Sequence, residues 1–238
     1  MALVHTAAVQ MPGMPARSFY HRGTPADIGV IEQIFEAEHY SLEPLQRRLE
    51  LNTIYDALAS GGRPPLILDA GANIGASVVY FGLKYPGAHI VALEPARNNF
   101  EVLQANVGGI NVDARCAAIG SASGEAALVD PGRGEWGYRT LTGAAGERVP
   151  VLSAAELVAA KVSQGFEPFI AKIDIEGGEA ELFSRDTDWV DGFPLIVIEL
   201  HDWLLPRSAN SRNFLKCIAG RDRDFVYIGE NIFSIANG

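Results

Sequence analysis

The sequence is poor in cysteine, in long apolar runs and in clustered positive charge. Its 238 residues hold two cysteines, Cys116 and Cys217, and neither has metal-ligand spacing or a neighbouring redox partner. A disulfide framework and a cysteine-based zinc site are therefore excluded. Cys116, in the apolar run Arg115 to Ile119, reads as a small buried hydrophobe. The longest strand-like apolar run, Leu195 to Leu200, falls far short of the roughly 18 residues that cross a bilayer, so no membrane span is expected. Met1 to Gln10 carries no basic region ahead of its apolar residues and does not read as a signal peptide, which makes a reducing cytoplasm the expected compartment. Lys and Arg number 19 against 29 Asp and Glu, a formal charge of −10, with no basic cluster longer than Arg47-Arg48. A phosphate backbone would be repelled, so nucleic acid is an unfavourable substrate. What is present is ordinary for a globular chain, 48% hydrophobic and 20% charged. At about 150 residues per domain the length fits one enlarged domain or one with an appendage.

The first 20 residues lack periodicity and carry Pro12 and Pro15, which predicts an irregular arm. Thr24-Pro25-Ala26-Asp27 starts a helix, with Thr24 as cap, Pro25 at the first helical position and Asp27 in the electropositive first turn. A second helix spans about Pro44 to Ser60 and ends at Gly61-Gly62. From Pro65 onward short apolar strands alternate with helices, the pattern of a parallel sheet covered on both faces. Strands are predicted at Leu66–Asp69, His89–Leu93, Arg115–Ile119, Phe169–Asp174 and Leu195–Leu200, and helices at about Gly75–Tyr85, Pro95–Asn106, Ala154–Val162, Gly178–Phe183 and Ala209–Ala219. Phe225–Gly229 and Asn231–Ile235 are too close for a parallel crossover and form a closing antiparallel pair. The Gly-rich stretch between Gly120 and Leu152 reads as a hairpin and mobile loop, a candidate lid. The chain divides into an N-terminal arm and helical extension, residues 1–62, and an α/β domain, residues 63–238.

Leu66 to Gly75 is the most informative stretch: a buried strand ends in Asp69, Gly71 and Gly75 bracket a tight turn, and a helix begins at once. Glycine lets the backbone approach a ligand, and the helix start offers free N–H groups. The next strand ends in Glu94-Pro95, about 25 residues after Asp69, where an acid can accept hydrogen bonds from both hydroxyls of a ribose. The spacing Gly71-x-x-x-Gly75 lacks the third glycine of the dinucleotide fingerprint. Asp69 would repel a pyrophosphate but suit an ammonium, which favours S-adenosylmethionine over NAD.

Asp69-x-Gly71-Ala72-Asn73-Ile74-Gly75, Glu94-Pro95, Lys172-Ile173-Asp174-Ile175-Glu176-Gly177-Gly178-Glu179 and Ile198-Glu199-Leu200-His201 together resemble the FkbM-type S-adenosylmethionine-dependent methyltransferases, over roughly Pro65 to Asp202. The resemblance implies a Rossmann-like class I methyltransferase sheet of seven strands, mostly parallel with the last antiparallel. It also implies methyl transfer to a hydroxyl of a sugar, glycoside or polyketide-like secondary metabolite. Gly71, Asn73, Glu94 and the positions around Ala117-Ala118 match the family's cofactor-contacting places. The N-terminal helices sit where such enzymes carry substrate-facing or oligomerising additions, so a homo-oligomer is one option and cover for a sheet edge is the other.

In-line methyl transfer needs alignment and a group that takes the hydroxyl proton. Asp174 ends a strand at the expected switch point of the sheet and Glu176 follows in the loop, so both are candidates to touch cofactor or acceptor. Glu179, in a helix's first turn, reads as a complement to the helix dipole. Glu199 and His201 share a strand face, and His201, whose neutral imidazole is available near its ordinary pKa, is the preferred general base. A metal-free site is favoured; Asp174, Glu199 and His201 are the alternative set for a divalent cation such as Mg²⁺ or Mn²⁺. Trp136, Tyr138 and Arg139 in the Gly-rich loop could stack on and pair with the substrate or simply pack a hairpin, and Trp203 could be a platform for a sugar face or a loop anchor. His39-Tyr40 could reach the acceptor from the N-terminal region. Two other functions stay open: an NAD-dependent oxidoreductase and a catalytically silent cofactor-binding protein.

Overall fold

The computed structural model describes residues 5–129, 139–141 and 146–238. Its first strands, β1 (His5–Val9) and β2 (Arg17–His21), form an antiparallel hairpin, where an irregular arm is expected from sequence. The order comes from remote partners. Asn106 behaves as a surrogate strand for β2, accepting from Tyr20 N at 2.7 Å and donating to Tyr20 O at 2.9 Å. Arg17 reaches the carbonyls of Asn106 and Gly108 at 2.7 and 2.6 Å, and Phe19 is fully buried. No local periodicity could reveal such bonds.

Helix α1 (Pro25–Ile31) starts as expected, with Thr24 Oγ1 accepting from Asp27 N. Asp27 does more than face the helix dipole: its carboxylate is buried and holds the Arg22 guanidinium at 2.6 Å. A π-helical turn, Glu32–Glu36, follows. Helix α2 (Arg48–Ser60) begins four residues later than Pro44 and is capped by Gly61.

The central sheet follows from alternating burial on two faces. On β3 (Pro65–Ala70) every residue is buried, but Ile67 joins one core with Tyr80 and Phe81, while Leu66 and Leu68 join the other with Leu157 and Phe214. Helix α3 (Ala76–Lys84) returns the chain to β4 (His89–Leu93), and α4 (Arg97–Asn106) to β5 (Val112–Arg115). The strand expected over Arg115–Ile119 is split. Ala117 N turns back onto Arg115 O at 2.9 Å, so β5 stays in the central sheet while β6 (Ala118–Gly120) leaves it. Cys116, at the turn, is half-buried rather than in the core. Strand β6 enters a second sheet with β7 (Gly124–Val129), β8 (Arg139–Leu141) and β9 (Glu147–Ser153), in the order β6-β9-β7-β8. The described part of the Gly-rich stretch is thus a small sheet.

After α5 (Ala154–Ser163) come β10 (Glu167–Ile173), the short α6 (Glu179–Leu182), a 3-10 turn (Thr187–Gly192) and β11 (Leu195–Glu199). Helix α7 (Arg212–Ala219) leads to β12 (Arg223–Ile228) and β13 (Asn231–Ala236). The seven central strands lie in the order β12-β13-β11-β10-β3-β4-β5. Strand β13 runs antiparallel between β11 and β12, and the other neighbouring pairs are parallel. This is the seven-stranded, mostly parallel Rossmann-like sheet with an antiparallel closing strand expected from sequence. Because the chain first moves outward from β3 to β5 and then returns to β10 on the other side of β3, the strand order reverses at β3/β10. Ligands bind open α/β sheets at such a switch point. Among the described residues no helix is long and apolar enough to cross a membrane.

Replacing Asn106 with Ala strips the Tyr20 backbone of its partners and should lower stability by about 2–3 kcal/mol. Urea unfolding checks this; a loss under about 0.5 kcal/mol, the scale of a surface substitution, would show that the hairpin is held some other way.

Candidate functional site

The loop after β3 lies against the end of β10. Gly71 has φ +81°, and a Cβ there would fall 1.7 Å from the Asp174 carbonyl oxygen, so only glycine fits. Gly71 N and Ala72 N both donate to Leu93 O at 2.9 Å, and the chain then turns through Asn73, φ 48°, to Gly75 at the start of α3. Glu94 is pulled in under this loop. Its carboxylate accepts from Asn73 N and Ala96 N, each at 2.9 Å, and from Asn99 Nδ2 at 3.4 Å. Burial pushes its pKa up to about 7, against the opposing effect of those bonds. Pro95 is partly exposed beside it, and Cys116 Sγ donates to the Pro95 carbonyl at 3.8 Å. Ala117 and Ala118 are buried just beyond that cysteine.

Asp69 corrects the expectation that it meets a cofactor's ammonium. It is fully buried, takes the Ser77 hydroxyl at 2.6 Å and faces Lys172 Nζ at 3.2 Å. A lysine of this chain already occupies the place assigned to a ligand's amine. Lys172 also donates to the Gly71 carbonyl at 2.6 Å and lies 3.7 Å from Asp174 Oδ2. Burial would lower its pKa, but the fields of Asp69, Tyr40 and Asp174 outweigh that and hold it above the ordinary lysine range. Sequence reasoning gave Lys172 no role, although a lone lysine within the apolar strand Phe169–Ile173 is a signal: a buried ammonium requires acids around it.

The acids at the ends of β10 and β11 converge on one imidazole. His201 is fully buried. Its Nε2 lies 3.6 Å from Asp174 Oδ1, 3.6 Å from Glu176 Oε2 and 3.4 Å from Glu199 Oε1, without a hydrogen bond to any of them. Its Nδ1 is held by Glu179 Oε1 at 2.7 Å, and the other Glu179 oxygen accepts from Asn210 Nδ2. Glu176 has φ 51° and precedes Gly177 at φ 98°, so the loop folds back over the ring. Burial and the field of Asp174 raise the Glu176 pKa to about 8, and burial raises that of Glu199.

These surroundings correct the reading of His201 as a neutral general base. Burial alone would lower its pKa, but the bond to Glu179, the nearby Glu199 and the charge of Asp174 overturn that and push it to about 11. The ring has no exposed nitrogen with which to take a proton from an acceptor. Glu179 is likewise more than a dipole complement: it is fully buried and fixes the imidazole through Nδ1. Glu179 and Asn210 were missed because their partners are 22 and 31 residues away in sequence.

Asn73, Ser77, Lys172, Asp174 and Glu199 line one cleft together with Val30, Ile34, His39 and Tyr40 of the N-terminal segment. The N-terminal segment therefore reaches the site, as considered for His39-Tyr40. Trp203 is 65% exposed, its ring centre 6.3 Å from that of His201. Trp136, Tyr138 and the side chain of Arg139 lie outside the described residues.

A family model described as a methyltransferase FkbM domain matches residues 69–227. The curated protein Methyltransferase sdnD of Sordaria araneosa is 51% identical over 43 residues, which are 18% of this chain and 17% of that protein. Among solved structures, the O-methyltransferase TomG from Streptomyces achromogenes is 12% identical with a TM-score of 0.47, covering 90% of this chain and 91% of its own. An O-methyltransferase from Bacillus cereus is 12% identical with a TM-score of 0.45, covering 88% and 91%.

Glu94 supplies a pH signature. Its folded pKa of about 7 lies above the ordinary 4.5, so the folded state holds the proton more tightly than the unfolded chain. The Glu94 contribution to stability is therefore fully present below about pH 4.5 and is lost as pH rises to about 7, by up to about 3 kcal/mol. Glu94→Gln cannot ionise, so its stability relative to wild type should climb over the same interval in urea titrations. A difference that stays flat with pH would mean that Glu94 ionises at its ordinary pKa.

Proposed function

Since the chain belongs to the FkbM methyltransferase family, we propose that it transfers a methyl group from S-adenosylmethionine to a hydroxyl of a small metabolite such as a sugar, glycoside or polyketide-like compound. The observation that carries this reading is the common cleft: Asn73, whose N–H holds Glu94, lines the same space as Asp174 and Glu199 of the acid cluster. Residues assigned to the cofactor and residues assigned to the proton thus line one cleft, which supports the reading.

Two observations support the cofactor. Glu94 is a buried carboxylate just after β4, the position from which an acid meets a ribose in nucleotide-binding sheets, and Asn73 Oδ1 is buried without a hydrogen-bond partner. Glu94, Asn73 and the backbone of Gly71 and Gly75 would hold the nucleoside side. Pro95, Ala117 and Ala118 would flank it. When bound, S-adenosylmethionine supplies an electrophilic methyl on a sulfonium, whose bonding pair departs with sulfur.

The chain's own contribution is orientation and proton removal. Lys172 fixes the Asp174 end of β10 against the Gly71 loop, so acceptor and cofactor are held on one rigid edge. A carboxylate at the mouth of the cluster, Asp174 or Glu176, takes the hydroxyl proton as the oxygen lone pair forms the new bond to carbon. His201 positions these carboxylates. Val30, Ile34 and Tyr40, buried in the lining of the cleft, would keep water from it. Trp203, Trp136, Tyr138 and Arg139 are left to acceptor recognition, and the acidic chain disfavours a nucleic-acid acceptor.

Calorimetric titration with S-adenosylhomocysteine should show micromolar binding that Glu94→Ala weakens at least tenfold, with NADH binding more weakly or not at all. No binding by wild type, or a preference for NADH, would overturn the reading. Asp174→Asn should leave that affinity within about threefold while turnover falls by about 100-fold or more. A turnover loss under tenfold would remove Asp174 from the proton path.

A further inference from the structure

Four carboxylates crowd around His201, more than its own charge and that of Lys172 balance. Asp174, Glu176, Glu179 and Glu199 all lie within 3.6 Å of one imidazole, and Lys172 is the neighbouring lysine, 3.7 Å from Asp174. Clustered carboxylates repel one another, and by itself such a cluster says little. The imidazole adds an independent observation. Its side chain is 1% exposed, and Nε2 is aimed among Asp174, Glu176 and Glu199 without a hydrogen bond. A buried ring nitrogen left unbonded is costly unless something occupies the space in front of it.

The opposite nitrogen tells the same story. Nδ1 is bonded to Glu179, itself gripped by Asn210 in the buried layer behind. A carboxylate behind an imidazole orients the ring and makes the other nitrogen a better ligand, as in metal-binding histidines, and a cation bound at Nε2 would displace the proton that the surrounding acids otherwise hold there. Donor atoms of Asp174, Glu176 and His201 all lie within 4.8 Å of one another. Glu199 joins them through Nε2 at 3.4 Å. Two bonds of about 2.2 Å, as hard divalent cations make to oxygen, span the 3.4–3.6 Å separations from Nε2 at an angle of about 105°, and donors as far as 4.8 Å apart would close by a few tenths of an ångström.

We propose that Asp174, Glu176 and His201 Nε2, with Glu199 alongside, bind a divalent cation of the Mg²⁺ or Mn²⁺ class, and that this cation receives the acceptor's hydroxyl oxygen. The ligand set is mostly carboxylate with one imidazole, which suits those ions and disfavours a soft metal. It takes up the alternative to the metal-free expectation, Asp174, Glu199 and His201, and adds Glu176 to it. Because Asp174 and Glu199 line the cleft, remaining coordination positions would face the acceptor, and a vicinal diol or hydroxy acid could occupy two of them. The inference deepens the methyl-transfer reading and rests on it for the acceptor, but the cation site itself stands on the cluster's geometry.

The test is Mn²⁺ binding by the full chain after EDTA treatment and desalting, followed by loss of the free-Mn²⁺ electron paramagnetic resonance signal. Wild type should bind one Mn²⁺ per chain with a Kd below about 100 µM, and excess Mg²⁺ should displace it. Glu176→Gln and Glu199→Gln alter residues that are partly exposed, so both variants should keep the wild-type circular dichroism. Glu176→Gln should weaken Mn²⁺ binding at least tenfold and Glu199→Gln to a smaller extent, while Glu101→Gln on the open surface should change nothing. Absence of Mn²⁺ binding up to 1 mM, or equal affinity in wild type and Glu176→Gln, overturns the proposal. Titration with S-adenosylhomocysteine on the same samples separates the two readings. Its binding without Mn²⁺ binding would sink the cation site alone, and Mn²⁺ binding without it would sink the cofactor assignment while leaving the cation site in place.

Discussion

Lys172 Nζ joins the loop after β3, the ends of β3 and β10 and the N-terminal segment. It is an ammonium inside the fold, bonded to the Gly71 carbonyl and flanked by Asp69 and Asp174, with the Tyr40 ring centre 5.9 Å away. The first contact fixes the turn after β3, the second the end of β3, the third the end of β10 and the fourth the N-terminal segment. A charge this deep persists only because its partners repay its desolvation, and losing one member of such a buried set typically costs about 3–5 kcal/mol by stranding the others. The loop that would carry a nucleoside and the acids that would meet an acceptor are therefore registered to each other through one atom. Gly71 is the steric counterpart of that registration, since its missing Cβ lets the loop backbone touch Asp174.

The central sheet was legible in the sequence because its signals are local. Apolar runs ending in Asp69, Glu94, Asp174 and Glu199, separated by capped helices, define parallel strands and place their acids on one edge without any knowledge of packing. His89–Leu93 matches the structure to the residue, and the closing pair is recognisable because the one residue between Phe225–Gly229 and Asn231–Ile235 cannot house a crossover. Failures occur where long-range bonds decide. The β1–β2 hairpin depends on Asn106, and the break between β5 and β6 depends on a turn at Cys116 that interrupts an otherwise continuous apolar run.

The site was legible as a set of residues but not as a set of roles. Glu94 lies under the Gly71 loop, and Asp174, Glu176, Glu199 and His201 do meet. Periodicity locates a side chain on a face but says nothing about how many acids will share it or how little water will remain. Asp69 was assigned to a ligand because the pairing of Lys172 across two strands was invisible. His201 was assigned its ordinary pKa because Glu179 and Asn210 arrive from a different helix and loop. Roles depend on electrostatic sums over spatial neighbours, which a single chain's spacing does not contain.

Asn106 serves two masters. Besides holding Tyr20, its amide donates to the Ile74 carbonyl at 2.9 Å, within the turn that leads into α3. Opening of the hairpin and loosening of that turn thus draw on one side chain and belong to the same subglobal unfolding unit. Ligand occupancy at the turn would then be felt as slowed amide exchange in β2, on the far side of α4's end, and the hairpin becomes a reporter of a pocket whose contents it does not touch.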